Sequence, residues 1–298
     1  MKLVKFAVGA LLCGPMALVP AALGAPSAAS APTWAPAATA AIHPGVQTFT
    51  NGSQCTANFI YTDANGTYIG QAAHCSGTGG NTATNGCTSG TLPVGTPVEV
   101  TGATKPGVMV YNSWATMQSL HEADDNTCQY NDLALVKLDP VDVLNTNPSV
   151  PSWGGPVGLN TTGLSFGDSI YSYGNSELRF GITALSPKSG VSTGDDGDGW
   201  SHGTNFTNPG VPGDSGSGLL DSNGNATGIL STLGVSSSGS TNNWGDLSRE
   251  LNYLHTHTSF TGVQLVPGTQ PFSAGGGGGL GALLSASGLL GGLRGLFG

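Results

Sequence analysis

Charge is what this chain has least of. Only 8% of its 298 residues are Asp, Glu, Lys or Arg, where about a quarter is usual for a globular protein. Eight are basic and 17 acidic, a net charge of −9. No cationic stripe exists to neutralise phosphates, which excludes a general nucleic-acid binder. Long helical periodicity is also nearly absent, which excludes a helical bundle. One amphipathic segment, "DLSRELNYLHTHT" (246–258), reads as a single closing helix. No C-x-x-C or close H-x-H pairing joins the cysteines, and His255 and His257 lie in that helical segment, so no metal site is expected.

An uninterrupted membrane-length run is missing too. Lys2 and Lys5 precede the apolar "FAVGALLCGPMALVPAALGA", but Gly14, Pro15 and Pro20 interrupt it. The charged start, short apolar stretch and small-residue exit are those of a secretory signal peptide over 1–25. Cleavage near Gly24 or Ala25 removes two lysines and leaves −9 − 2 = −11. Cys13 leaves with it. Cys55, Cys75, Cys87 and Cys128 remain, an even number that reads as disulfides in an exported chain, with three pairings open.

What the chain has in abundance is glycine, 49 residues. Residues 26–41, "PSAASAPTWAPAATAA", are Ala/Pro-rich and uncharged, a linker or pro-segment. Residues 267–298 end in a Gly/Leu-rich low-complexity tail, expected to be disordered or to adhere weakly to a surface or partner. Between them, 42–266 consists of short apolar runs separated by Gly, Asn, Asp and Ser. "NFIYT" and "TYIGQAA" flank "DANG" as a hairpin, and "LALVKL" (133–138), "SIYSYG" (169–174), "LRFGITAL" (178–185) and "TGILSTLGV" (227–235) continue the series. This is the texture of an all-β barrel or sandwich.

Three short stretches carry chemistry. In "PGDSGSGLL" (212–220) glycines surround Ser215. A serine hydroxyl needs a base to become a nucleophile. The glycines let the backbone turn tightly enough for the Gly213 and Ser215 N–H groups to point at one spot, an oxyanion hole. "GQAAHCSG" (70–77) offers His74 as the base. "YNDLALVKLDP" (130–140) offers Asp132, a carboxylate at the head of an apolar strand that can fix the tautomer of a histidine. Asp124 and Asp125 compete for that role, but "HEADDN" is polar throughout and reads as solvated.

The order His, Asp, Ser is that of the chymotrypsin-type proteases. "AAHC", "NDLALVKL" and "GDSGSG" closely resemble the three catalytic motifs of the chymotrypsin-like (trypsin-fold) serine endopeptidases, in particular their secreted bacterial branch, over Ile42 to Val266. The resemblance implies two orthogonal antiparallel six-stranded β-barrels and one C-terminal helix. His74 and Asp132 would come from the first barrel and Ser215 from the second. It implies peptide hydrolysis through an acyl-enzyme on Ser215, no cofactor, and a protein or peptide substrate; we expect a monomer. It pairs Cys55 with Cys75; Cys87 and Cys128 then pair by elimination.

For substrate binding the resemblance implies Ser231 beside Asp132, followed by Thr232 and Leu233 where the family has an aromatic residue and glycine. Pro209 stands where trypsins carry the aspartate that attracts Arg or Lys, so a small or apolar side chain is expected there instead. Ile42 opens "IHPG" and, if freed, would pair with Asp214, unless that aspartate is satisfied in another way. Asp195, Asp196 and Asp198 in "GDDGDGW" (194–200) read as a solvated acidic turn rather than a calcium site. The alternatives to an endopeptidase are a catalytically inert binding or adhesion protein of the same fold and an esterase of another fold.

Overall fold

The computed structural model describes Met1 and residues 32–80, 84–236 and 239–276. The expected signal segment, residues 26–31 and the tail from 277 onward lie outside the described residues.

Among the described residues fourteen strands alternate with turns. The first half holds β1 (Gln47–Thr50), β2 (Ser53–Thr56), β3 (Ile60–Asp63), β4 (Gly66–Ala72), β5 (Pro97–Val100), β6 (Gly107–Asn112) and β7 (Leu133–Lys137). The second holds β8 (Ser169–Tyr173), β9 (Pro187–Asp196), β10 (Ser201–Phe206), β11 (Gly218–Leu220), β12 (Ala226–Ser236) and β13 (Gly239–Asp246), with β14 (Gln264–Leu265) last. Period-two alternation is plain in β5, where Val98 and Val100 point inward and Pro97 and Glu99 outward.

The second half closes into a six-stranded barrel, β10-β13-β12-β11-β8-β9. The first half is an antiparallel sheet of eight strands, β14-β3-β4-β7-β6-β5-β1-β2, where the resemblance implies six. One of the eight, β14, returns from the far end of the chain to pair with β3 through Gln264–Thr62 and Leu265–Tyr61. A buried cluster including Phe59, Tyr61, Leu133, Leu220, Ile229 and Leu247 draws on both halves.

The described residues hold four α-helices, not one. Besides α4 (Leu247–His257) there are α1 (Ser113–Leu120), α2 (Asp125–Tyr130) and α3 (Pro140–Val143), each too short to show a hydrophobic period. Their signals are caps: Asn112 accepts the Ala115 N–H, and Asp139 accepts the Val141 N–H. Asp124, read as solvated, caps α2 through the Thr127 N–H at 2.8 Å. "LRFGITAL" is not a strand but two single 3-10 turns, Glu177–Arg179 and Thr183–Leu185. Its apolar Phe180 is 88% exposed while Arg179 turns inward, because a buried carboxylate awaits it.

The Ala/Pro segment lies against the core from Trp34 on. Ala35 donates its N–H to Thr146 O (2.9 Å) and its carbonyl accepts Asn147 Nδ2 (2.6 Å). Trp34, the one large apolar side chain of the segment, packs on the first core cluster. At the other end, Phe272 packs edge-on against Tyr171.

Candidate active site

Strand register assembles the His–Asp pair. β4 and β7 pair with Ala72 opposite Leu133, so the residues just after β4 meet those just before β7. Ala73 donates its N–H to Asp132 O at 2.6 Å, and a single 3-10 turn, Ala73–Ser76, then presents His74 and Cys75. Asp132 Oδ1 accepts the His74 backbone N–H (2.8 Å) and Oδ2 lies 2.6 Å from His74 Nδ1. That contact leaves Nε2 as the free ring nitrogen.

His74 is partly exposed, its side chain at 26%, and Asp132 is buried at 3%. Burial alone would lower the His74 pKa, but the charge and hydrogen bond of Asp132 outweigh it and hold the imidazole above its ordinary value. Cys55 on β2 is bonded to Cys75, pinning the turn from behind, and Cys87 is bonded to Cys128 in α2, four residues before Asp132. Cys55, His74 and Cys75 form the only three-residue cluster of potential metal-ligating atoms among the described residues, and its two sulfurs are consumed by the disulfide.

Ser215 sits in a loop whose hydrogen bonds alternate. Thr56 Oγ1 and Gln54 Nε2 donate to Gly213 O (2.8 and 3.0 Å), and the Thr56 N–H donates to Ser215 O (2.8 Å). The N–H groups of Asp214, Gly216 and Ser217 are bound to Val211 O, Leu230 O and Asp214 O. Those of Gly213 and Ser215 donate to nothing among the described residues. Gly213 has φ +95°, and a Cβ there would collide with Gln54 and Ser176, so glycine is required on two counts. No hydrogen bond closes between Ser215 Oγ and His74 Nε2 in this structure; such bonds are commonly long in free enzymes and tighten with substrate.

Asp214 is fully buried and faces two cations. Arg179 Nη2 donates to its Oδ2 at 2.7 Å, and Lys188 Nζ lies 3.1 Å from the same oxygen, off the hydrogen-bonding direction. Ser176 and Val211 donate their N–H groups to it. Burial, with help from the Arg179 charge, pulls the Lys188 pKa down despite Asp214. In this uncut chain Ile42 is fully buried and its N–H donates to Asn145 O.

Ser231 reaches Asp132 because of a bulge. β12 pairs with β13 as Leu230–Trp244 and then Thr232–Asn243, leaving Ser231 as the extra residue. Its Oγ donates to Asp132 Oδ2 at 2.7 Å. His74, Ser215, Gly213, Ser231, Thr232 and Leu233 line one cleft of about 560 Å³, together with Trp114 and Gln54. Pro209 is not in its lining; its carbonyl turns away to accept Arg179 Nη2 at 2.9 Å. A larger depression of about 860 Å³, bordered by Trp34, Trp153 and Pro271, holds none of the expected site residues, so size does not single out the site.

The acidic loop is dispersed rather than convergent. Asp195 Oδ1 lies 2.6 Å from Nδ1 of the fully buried His202, Asp196 caps the Gly197 N–H, and Asp198 accepts Asn126 Nδ2. His202 Nε2 lies 2.9 Å from Asp246, the N-cap of α4. His202, Gln54, Thr56, Arg179, Lys188 and Glu250 also help to build the site and its surroundings. No local motif marks them, since each acts on a partner distant in sequence.

No family model and no curated protein matches the chain. Among solved structures it is similar to protease A of Thermobifida fusca, at 16% identity and a TM-score of 0.50, over 76% of this chain and 99% of that one. It is also similar to the chymotrypsin of Cellulomonas bogoriensis, at 18% identity and a TM-score of 0.45, over 76% and 98%. The first likeness gives the fold: a chymotrypsin-like double barrel.

Proposed function

We propose that the chain is an exported serine endopeptidase. The observation that carries this reading is the Asp132-bound His74 sharing a cleft with Ser215, whose own N–H and that of Gly213 are the two unengaged donors of its loop. In this reading Ser215 Oγ attacks the carbonyl carbon of a peptide bond while His74 Nε2 takes its proton. Asp132 keeps the other ring proton on Nδ1 and stabilises the imidazolium. The carbonyl oxygen becomes an anion held by the two free N–H groups. When the C–N bond breaks, His74 returns the proton to the leaving amine. Water, activated by the same histidine, then splits the acyl-enzyme.

An extended substrate has a strand to pair with. Beyond Leu230, β12 is paired only to β13 among the described residues, so its other edge at 231–233 is open to a peptide backbone. Among the described residues the only carboxylate lining the cleft is Asp132, already bound to His74 and Ser231, which argues against a preference for Arg or Lys and for a small or apolar side chain. Two disulfides support assembly in an oxidising compartment.

The test is a fluorophosphonate probe on the secreted protein, with the adduct located by mass spectrometry. An adduct on Ser215 is expected, and Ser215→Ala should lose turnover by about a millionfold with the fold intact. A folded protein that stays unlabelled and inactive would put the binding protein in its place. Because His74 must be neutral to act as base and its pKa is raised, activity should climb with pH through a midpoint above that of an ordinary histidine.

A further inference from the structure

Asp132 is held at more points than its proposed role requires. Its carboxylate meets the His74 N–H, His74 Nδ1 and Ser231 Oγ, and its carbonyl takes the Ala73 N–H. Its own N–H goes elsewhere, to Glu250 Oε1 at 2.8 Å. Glu250 stands in the first half of α4, a helix that the proposed chemistry does not otherwise use, and it is fully buried. Its remaining oxygen, Oε2, is buried without a partner. Tyr61 of β3, Tyr111 of β6, Asp132 and Asp246 are the titratable groups that face it, and no cation pairs with it among the described residues. Room for this approach is made at Gly245 on β13, where a Cβ would collide with Glu250 Oε1 and with Tyr130 O.

We propose that Glu250 is the positioning residue for Asp132, fixing its backbone so that one carboxylate meets His74 and Ser231 together. Glu250 does this as an uncharged acid. A single N–H donor and no cation cannot support a carboxylate in full burial. Burial first, and then the negative charges of Asp132 and Asp246, push its pKa well above the carboxylate range against the one hydrogen bond. Neutrality matters because a second anion here would add to Asp132 in stabilising the imidazolium and keep His74 from acting as a base. The kinetic part of this inference rests on the proposed peptidase function; the geometric part does not.

The experiment compares Glu250→Gln, which keeps a neutral acceptor, with Glu250→Leu, which fills the space without one. Both are made in the full chain. The first readout, independent of turnover, is the low-field NMR signal of the His74 Nδ1–H and the titration midpoint of that ring. The second is kcat and KM on a peptide substrate. The glutamine variant should keep the signal, the midpoint and kcat within about threefold. The leucine variant should lose the signal, and kcat should fall about 10- to 100-fold at constant KM, as expected for a misplaced catalytic group. A leucine variant with a native signal and full kcat would overturn the inference. So would a glutamine variant whose His74 midpoint drops by about a unit, since that would reveal a lost negative charge. Should the leucine variant not fold, the glutamine midpoint still decides. If the native protein proves inactive, the peptidase reading fails, while the NMR comparison continues to judge Glu250.

Discussion

Asp132, which lines the cleft, and Asp214, next to Ser215 in sequence, are both buried aspartates, and their surroundings differ in kind. Asp214 faces Arg179 and Lys188, one cation that is always charged and one that burial weakens. The Asp132 carboxylate faces the His74 ring, a serine hydroxyl and the His74 N–H, with Glu250 behind its backbone. A carboxylate locked to a guanidinium keeps its charge and its place and so serves to hold a loop. A carboxylate whose principal partner can gain and lose a proton can take part in a reaction. The neighbours, not the residue type, divide the roles.

This contrast can be broken from either side. Asp132→Asn should cost the most, about 10⁴ in kcat, or roughly 5.5 kcal/mol, because the histidine takes the wrong tautomer. Steady-state kinetics beside a thermal melt would read it, and the melt should move little. On the other side, Arg179→Met leaves Asp214 with Lys188 alone. The expected loss is about 3–5 kcal/mol of unfolding free energy in urea; a loss under about 1 kcal/mol would mean that Lys188 suffices and the contrast is overdrawn. Removing the disulfides probes covalent against ionic fixing. By loop entropy, Cys87→Ala with Cys128→Ala, 41 residues apart, should cost about 4 kcal/mol, and Cys55→Ala with Cys75→Ala, 20 apart, about 3 kcal/mol.

The smallest expected effect is a slope. Burial would lower the His202 pKa, but hydrogen bonds and charge from Asp246 and Asp195 raise it. Its contribution to stability is therefore complete below the unfolded value near 6.5 and is lost as pH rises through the higher folded value. The midpoint of thermal unfolding should fall over that window in the native chain. His202→Gln should flatten the curve, and an unflattened curve would assign the slope to another group.

That His74, Asp132 and Ser215 meet in one cleft was legible because each sits in a run of local sequence with a distinct pattern: glycines around a tight turn, an apolar strand after a carboxylate. The strands on either side were legible by alternation and turn residues. "LRFGITAL" reads as a strand from its apolar residues, but Arg179 is the one drawn inward, toward a carboxylate 35 positions away. Pro209 misled likewise, because a position in a motif does not say which way the backbone faces. The short helices hid because a four- to eight-residue helix carries caps but no period. Glu250 reads as one polar residue of an amphipathic helix, and only the placement of α4 against Asp132, the residue before β7, gives it a partner.

The Arg179–Asp214 pair has a consequence for timing. Where the nucleophile loop depends on a chain end created by cutting, readiness is postponed until a second event occurs. Here the counter-charge is stitched into the same barrel as the loop, so its shape is complete when that barrel closes. In the uncut chain, then, the loop beside Ser215 already has its counter-charge.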